Sequence, residues 1–438
     1  MSGVTEMHQG SITIIGAGVF GASTALHLSR RHPSYTITVF DCSPYPSPRA
    51  ASSDINKIVR AAYSDLSLCR LAARSHEIWR NDALFSKFYH EAGMLSIRPY
   101  KGGARAILEN FKRLGINQEA RVVTPEDVRQ RFNGIFEEAN FNTVEEFLWE
   151  PNAGWAEAAN ALAATMQAAI DNGVQYVVNG VSKLLVTAGR CHGVELVDGS
   201  KHYAQKVLLC AGADTARILA ESSPDDSSLH AGPRFVAGAI IEAKVRLRPD
   251  QMEKYKDTPA VLGMLTRPEV RETMPPTSDG YLKFIRDIPL ANTVPHPASN
   301  TKISVAPDNA EGTEWTAPEN LPAVLREEMK TVIAGIFGVN SAAELQPEQM
   351  RLCWEPLAPD EAWFVTPHTR CESLYIATAG SGHAWKFLPI LGEFTVRMML
   401  DPKGWEADEI AKSWAWDREL VDSPDEDVIP RRQLADMR

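Results

Sequence analysis

Gly16-Ala17-Gly18-Val19-Phe20-Gly21 follows a short β-branched run, Ser11 to Ile15, and opens a stretch with helical spacing. In such a setting the first glycine makes a tight turn, the second lets the backbone approach a pyrophosphate, and the third lets helix and strand pack closely. The helix N-terminus then faces the phosphate charge. Asp41 closes the next β-rich run, Thr36 to Phe40, about 20 residues on, where a carboxylate accepts hydrogen bonds from a ribose diol. The spacing predicts a dinucleotide site in a βαβ unit. The glycines alone do not separate FAD from NAD. Their place near the start of the chain, and a second small-residue strand end at Ala211-Gly212, lean towards FAD.

Further reactive side chains lie in four later segments. These are Ala51-Ser52-Ser53-Asp54-Ile55-Asn56-Lys57-Ile58-Val59-Arg60-Ala61-Ala62-Tyr63, the Lys283 segment Gly280-Tyr281-Leu282-Lys283-Phe284-Ile285, the run from Cys353-Trp354-Glu355 to Val365, and Ala379-Gly380-Ser381-Gly382-His383-Ala384-Trp385-Lys386. Taken singly, each has an ordinary reading. Cys353 reads as a buried apolar cysteine, Lys283 as a solvent-facing strand residue, and Lys57 as a surface partner of Asp54. Lys386 is less ordinary, since it stands among Trp385, Phe387 and Leu388.

Together with the glycine fingerprint, these segments run over nearly the whole chain in an order that resembles the sarcosine oxidase family of flavoprotein amine oxidases. The likeness extends to its fungal branch of saccharopine or pipecolate oxidases and fructosyl amino acid oxidases (amadoriases). The resemblance implies FAD bound as a thioether to Cys353, a thiolate being a suitable nucleophile for an oxidised flavin's activated methyl group. It implies that Arg60 and Lys386 clamp a substrate carboxylate, a bidentate guanidinium beside an ammonium point charge. Lys283 takes the place of a lysine that activates oxygen by stabilising developing negative charge, and Lys57 that of a cation close to the flavin. Ser53, Gly380 and Gly382 fall at cofactor-binding positions, with backbone N–H groups of the 380–383 turn directed at the flavin ring. His383 either lines the pocket or caps the following helix.

Two positions depart from the deglycating branch. Asp287 stands four residues after Lys283, where that branch has Glu, and Trp414-Ala415-Trp416-Asp417 replaces a Trp-Arg-Trp-Arg run whose arginine serves substrate binding. Asp287 is then expected as the negative group near the substrate nitrogen. The implied activity is an FAD-dependent oxidase of the C–N bond of a secondary-amine amino acid, of saccharopine, pipecolate or N-methyl amino acid type. The imine hydrolyses and oxygen becomes hydrogen peroxide. The alternatives are a fructosyl amino acid oxidase, an NAD-dependent dehydrogenase using the fingerprint alone, and a non-catalytic flavin-binding sensor or scaffold.

The elements that must hold these residues give an α/β fold class: a Rossmann-type FAD-binding domain with a sheet-rich substrate domain, as in glutathione-reductase-like and D-amino acid oxidase-like flavoproteins. A discontinuous division is expected. Residues 1–85, 146–228 and 349–400 form the FAD-binding domain, 86–145 and 229–348 the substrate domain, and 401–438 a C-terminal tail. Helices are predicted near Leu66 to Phe88, Ala156 to Asn172 and Leu321 to Phe337. The Pro/Asn/Thr-rich stretch from Asn292 to Pro318 predicts a long surface loop, and the residues after Leu420 a loosely ordered tail.

The 438 residues carry a formal net charge of −11, with no Lys/Arg run longer than a pair. That argues against nucleic acid or an anionic membrane as partner. The expected partners are a small amino-acid-like substrate and oxygen, with the chain a monomer. No apolar stretch approaches the ~20 residues of a membrane span. Six cysteines without a CxxC pair or regular framework favour a reducing compartment, and no metal site is expected. The start lacks a secretory pattern, so the expectation is cytoplasmic. A peroxisome stays open, although Ala435-Asp436-Met437-Arg438 is not a targeting tripeptide of the Ser-Lys-Leu type.

Overall fold

Ser11–Ile15 is buried at every position, as a parallel strand covered on both faces must be. In the computed structural model, which describes residues 10–98, 101–142, 144–263, 272–308, 312–422 and 428–437, this strand lies inside a Rossmann-type sheet. The order is Phe364–Pro367, Leu374–Thr378, Lys206–Leu209, Ser11–Ile15, Thr36–Asp41, Gln175–Val178. The ladders are parallel except at the Phe364–Pro367 edge. The helix Val19–Arg31 packs between Ala158–Asp171 and Leu391–Leu400, and its apolar residues centre the first core.

A large mixed sheet carries the chemistry. Its order is Gln349–Leu357, Val236–Arg246, Tyr281–Ala291, Glu272–Thr273, Ala260–Gly263, Met94–Arg98, Glu146–Glu150, Arg121–Val123. Side chains alternate between the faces of a strand, and here the alternation separates core from site. Ala239, Ile241, Leu282, Phe284, Met350 and Leu352 enter a second core beneath the helix Ala323–Phe337. The residues between them, Ile240, Glu242, Lys283, Ile285, Arg351 and Cys353, belong to the opposite face. A slip of one residue in any of these strands would exchange the two sets.

Two expectations are corrected. The stretch predicted as a loop contains a hairpin, Thr293–His296 paired with Thr301–Ser304, whose β-branched Thr, Val and Ile suit a strand in spite of the surrounding prolines. The tail is not loosely ordered throughout. Arg432–Gln433 pairs in parallel with Leu290–Ala291, and Arg432 meets Glu328 at 2.6 Å. Among the described residues no helix is long and apolar enough to cross a membrane, and no group of His, Cys, Asp and Glu is arranged to hold a metal ion.

Candidate active site

The glycine turn is built as a cradle. Gly16 has φ +93°, and a Cβ there would stand 2.5 Å from the Cys210 carbonyl oxygen; one on Gly21 would stand 1.9 Å from that of Gly16. Gly18 is the N-cap of the helix Val19–Arg31. Asp41 ends the second strand and accepts the Ala17 N–H at 2.8 Å. Burial raises its pKa, against the N–H bonds from Ala17 and Ser43. Ser52 accepts the Val19 N–H at 2.9 Å and borders the cavity. Ser53, expected there, does not; its carbonyl instead accepts the Arg351 guanidinium at 2.8 Å.

A cavity of ≈ 1490 Å³ is lined by Gly16, Gly18 and Asp41 and by Cys353, Arg60 and Lys386. It exceeds the roughly 300–1,000 Å³ of a small-molecule pocket and has room for a dinucleotide with a substrate beyond it. A glycine cradle and a cysteine on the wall of one cavity fit FAD.

Under the cavity lies an ionic network with almost no solvent contact. Glu242 is the cross-strand partner of Arg351, which reaches it at 2.5 Å, and Lys283 meets its other oxygen at 3.0 Å. Lys283 also grips Asp54 Oδ2, an oxygen shared with Lys57 at 3.2 Å and Arg351 at 3.5 Å. Burial alone would raise the Asp54 carboxyl; Lys283, Lys57 and Arg351 overcome this and hold it below the usual range. Burial opposes the charge of Lys57, but Asp54 and Glu242 keep its pKa raised. Lys57 borders the cavity, whereas Lys283 is fully buried behind it. The Arg351 guanidinium donates to Cys353 Sγ at 3.8 Å. Burial pushes that thiol up to about 12, Glu242 adding to the effect and Arg351 and Lys57 opposing it.

Arg60 and Lys386 stand at the same aromatic ring. The guanidinium lies over Tyr63, 4.1 Å from the ring centroid, and Lys386 Nζ lies 5.7 Å from it. The Lys386 carbonyl accepts Trp79 Nε1 and Ser75 Oγ, each at 2.7 Å, which fixes the short helix Trp385–Phe387 against Leu66–Asn81. Burial, and then the Arg60 charge, hold Lys386 well below an ordinary lysine. An anion bound between the two cations would reverse that repulsion.

The 380–383 turn borders the cavity, but its N–H groups have protein partners. Gly382 donates to the Glu355 carboxylate at 2.7 Å, Ser381 to the Pro356 carbonyl and His383 to the Gly380 carbonyl. Of the expected free donors, one is thus answered by a carboxylate projecting from the adjoining strand and two by carbonyls. Gly380 and Gly382 both border the cavity. His383 does too, and its Nε2 lies 2.9 Å from the Glu361 carbonyl. Since a carbonyl only accepts, the proton sits on Nε2, leaving Nδ1 to accept from Tyr63 OH at 3.4 Å. Burial and Lys386 lower the His383 pKa to about 3, so the ring is neutral.

The side chain of Asp287 lies outside the described residues; its backbone belongs to the strand Tyr281–Ala291. Asp417 pairs with Arg234 at 2.7 Å and does not border the cavity. The sequence reading missed the acidic half of the network as a functional group, together with Arg351, Glu355 and Glu272. Glu242, Arg351 and Glu355 gave no more signal than a charge inside a strand, while Asp54 precedes the strand Lys57–Val59 and gave only its spacing to Lys57.

A Rossmann-type sheet and a large mixed sheet, with one cavity lined by a glycine turn, a cysteine and a cation pair, make the architecture of a flavin-dependent oxidoreductase. Residues 11–398 match the family described as FAD dependent oxidoreductase, and the chain belongs to that family. It is similar to the L-saccharopine oxidase of Schizosaccharomyces pombe, with 25% identity over 450 aligned residues covering 95% of this chain and 98% of that protein. The monomeric sarcosine oxidase of Arthrobacter sp. (strain TE1826) is 21% identical, covering 87% of this chain and 90% of that one. The solved structure of fructosyl peptide oxidase from E. terrenum matches with a TM-score of 0.79 and 25% identity, covering 98% of this chain and 97% of that one.

Proposed function

We propose that this FAD-dependent enzyme oxidises the C–N bond of an amino acid bearing a secondary amine, of the saccharopine, pipecolate or N-methyl type. The observation that carries this reading is the cation pair Arg60 and Lys386 about Tyr63, on the wall of the cavity that Cys353 also lines. A substrate carboxylate there would relieve the repulsion that depresses Lys386, and binding would fix the neighbouring C–N bond in place. The relatives named for saccharopine and sarcosine point to the same substrate class.

Cys353 would hold FAD as a thioether, with Arg351 and Lys57 stabilising the thiolate that must form first. Bound there, FAD would supply the two-electron oxidation of the C–N bond and pass the electrons to oxygen as hydrogen peroxide; the imine hydrolyses in water. Lys57 and Lys283, joined through Asp54, would supply the positive charge that oxygen reduction needs.

A deglycating activity is the second reading, favoured by the likeness to fructosyl peptide oxidase. The Asp417–Arg234 pair, which does not border the cavity, argues against it. Peroxide production from saccharopine, pipecolate, sarcosine and fructosyl-valine decides between them. The expected result is a higher kcat/KM for one of the first three, and fructosyl-valine as best substrate would replace this proposal with the deglycating one.

A further inference from the structure

Glu272 is placed unlike the other acidic groups of the site. Its two-residue strand, Glu272–Thr273, lies between Ala260–Gly263 and the Lys283 strand, so that Leu262, Glu272 and Ile285 are cross-strand neighbours in one row. All three border the cavity, as does Met274 two residues on. The row is thus an apolar wall with one carboxylate in its middle. Glu242 is taken by Lys283 and Arg351, and Glu355 by the Gly382 N–H. Among the described residues, no hydrogen bond or ion pair engages the Glu272 carboxylate.

We propose that Glu272 receives the substrate's amine: its carboxylate pairs with the protonated secondary nitrogen and accepts the proton that must leave before the C–N bond is oxidised. The inference rests on the amino acid reading above, and it assigns to Glu272 the negative group that the sequence led us to expect at Asp287. In the step, one N–H bond of the ammonium breaks and one O–H bond forms on Glu272. The nitrogen regains its lone pair, and no oxidant is needed. The proton returns to water when product leaves.

Charge placement supports this assignment. With a substrate carboxylate on Arg60 and Lys386, the nitrogen lies one carbon away, and these two cations face Glu272 together with Lys283 and Lys57. Burial pushes the Glu272 carboxyl up to about 7, the four cations opposing it. A carboxyl of that strength changes protonation in the range where a general base works best.

The test uses the FAD-loaded enzyme and two carboxylates of equal shape, trimethylglycine with a fixed positive charge and 3,3-dimethylbutanoate with none. Binding is followed by calorimetry. Glu272→Gln should weaken trimethylglycine by roughly tenfold or more, the loss of a desolvated charge partner, and change 3,3-dimethylbutanoate by less than about twofold. In the wild type, trimethylglycine affinity relative to that of 3,3-dimethylbutanoate should rise as pH passes upward through about 7, and that ratio should be flat in Glu272→Gln, since Lys386 acts on both carboxylates alike. Trimethylglycine has no proton to lose, so this limb reports the enzyme's carboxyl. Anaerobic reduction by the best substrate should show a rising limb in the same range, absent in Glu272→Gln and restored in Glu272→Asp. Equal weakening of both probes, or a limb that survives in Glu272→Gln, overturns the proposal, as does a wild type that binds neither probe. A wild type that distinguishes the probes through Glu272 but is reduced by no secondary amino acid upholds the charge pairing. In that case only the substrate class fails.

Discussion

Lys57 Nζ stands 3.2 Å from Asp54 Oδ2, the oxygen that Lys283 grips from the other side. One carboxylate therefore couples a cation that borders the cavity to another wholly enclosed behind it. Lys57→Met should slow reoxidation of the reduced enzyme by roughly 10²-fold, the scale for removing one preorganised electrostatic group. Lys283→Met should also slow reoxidation more than anaerobic reduction, and should lower stability because it strips a partner from Asp54 and Glu242. Stopped-flow measurement of the two half-reactions checks both variants; unchanged reoxidation in the pair would remove the network from oxygen chemistry.

Attachment of FAD at Cys353 makes a simple prediction. Acid-precipitated enzyme should stay yellow, and a proteolytic peptide containing Cys353 should carry the flavin mass. Cys353→Ala should release its flavin into the supernatant. Yellow colour leaving the wild-type precipitate would exclude the thioether.

The clamp should show itself in substrate affinity. Arg60→Ala should cost roughly 2–5 kcal/mol in kcat/KM, the range for truncating one side of a buried charge pair. Lys386 must be protonated to hold a carboxylate, and its pKa lies well below 10.5. KM should therefore rise with increasing pH well before an ordinary lysine would titrate. Lys386→Arg, whose guanidinium stays charged, should abolish that rise. A KM indifferent to both substitutions would detach the clamp from the substrate.

Asp54 is fully buried and held ionised by three cations. Asp54→Asn should destabilise the fold by roughly 3–5 kcal/mol at neutral pH, since it leaves buried positive charge uncompensated. A carboxyl whose folded pKa is depressed contributes stability above its unfolded pKa, ~3.9, and loses it as pH falls through the folded value. The deficit of Asp54→Asn against wild type should accordingly narrow in strong acid. Urea unfolding at pH 7 and in acid measures it, and a deficit constant across that range would contradict the assignment.

The parts of the site legible in the sequence are those written locally. Gly16, Gly18, Gly21 and Asp41 announce their turn by spacing alone, and Cys353, Lys283, Arg60 and Lys386 carry meaning through the resemblance of their neighbours. Glu242, Arg351 and Glu272 were not legible, because strand register sets their neighbours and sequence separation hides it; the Lys57–Asp54 pair was legible, but not the Lys283 and Arg351 that share its oxygen. Glu242, in Ile241-Glu242-Ala243, reads as one polar residue of a half-exposed strand until Arg351 appears opposite it. The exchange of Ser53 for Ser52 is a single step within a turn, finer than any spacing rule resolves. The Arg432–Gln433 pairing is long-range contact of the same kind, invisible in a segment whose composition reads as loop.

The cavity draws its walls from Gly16, Lys57, Gly212, Cys353 and Lys386, positions spread across most of the chain. A ribosome that has delivered only the first half of this protein has made the glycine turn and Arg60, but neither Cys353 nor Lys386. Nor can the central sheet be completed earlier, because Leu374–Thr378 pairs beside Lys206–Leu209. A complete cavity therefore exists only after synthesis of nearly the whole polypeptide. Until then a newly made chain depends on its own core, or on chaperones, to keep the two unfinished sheets from pairing with other molecules.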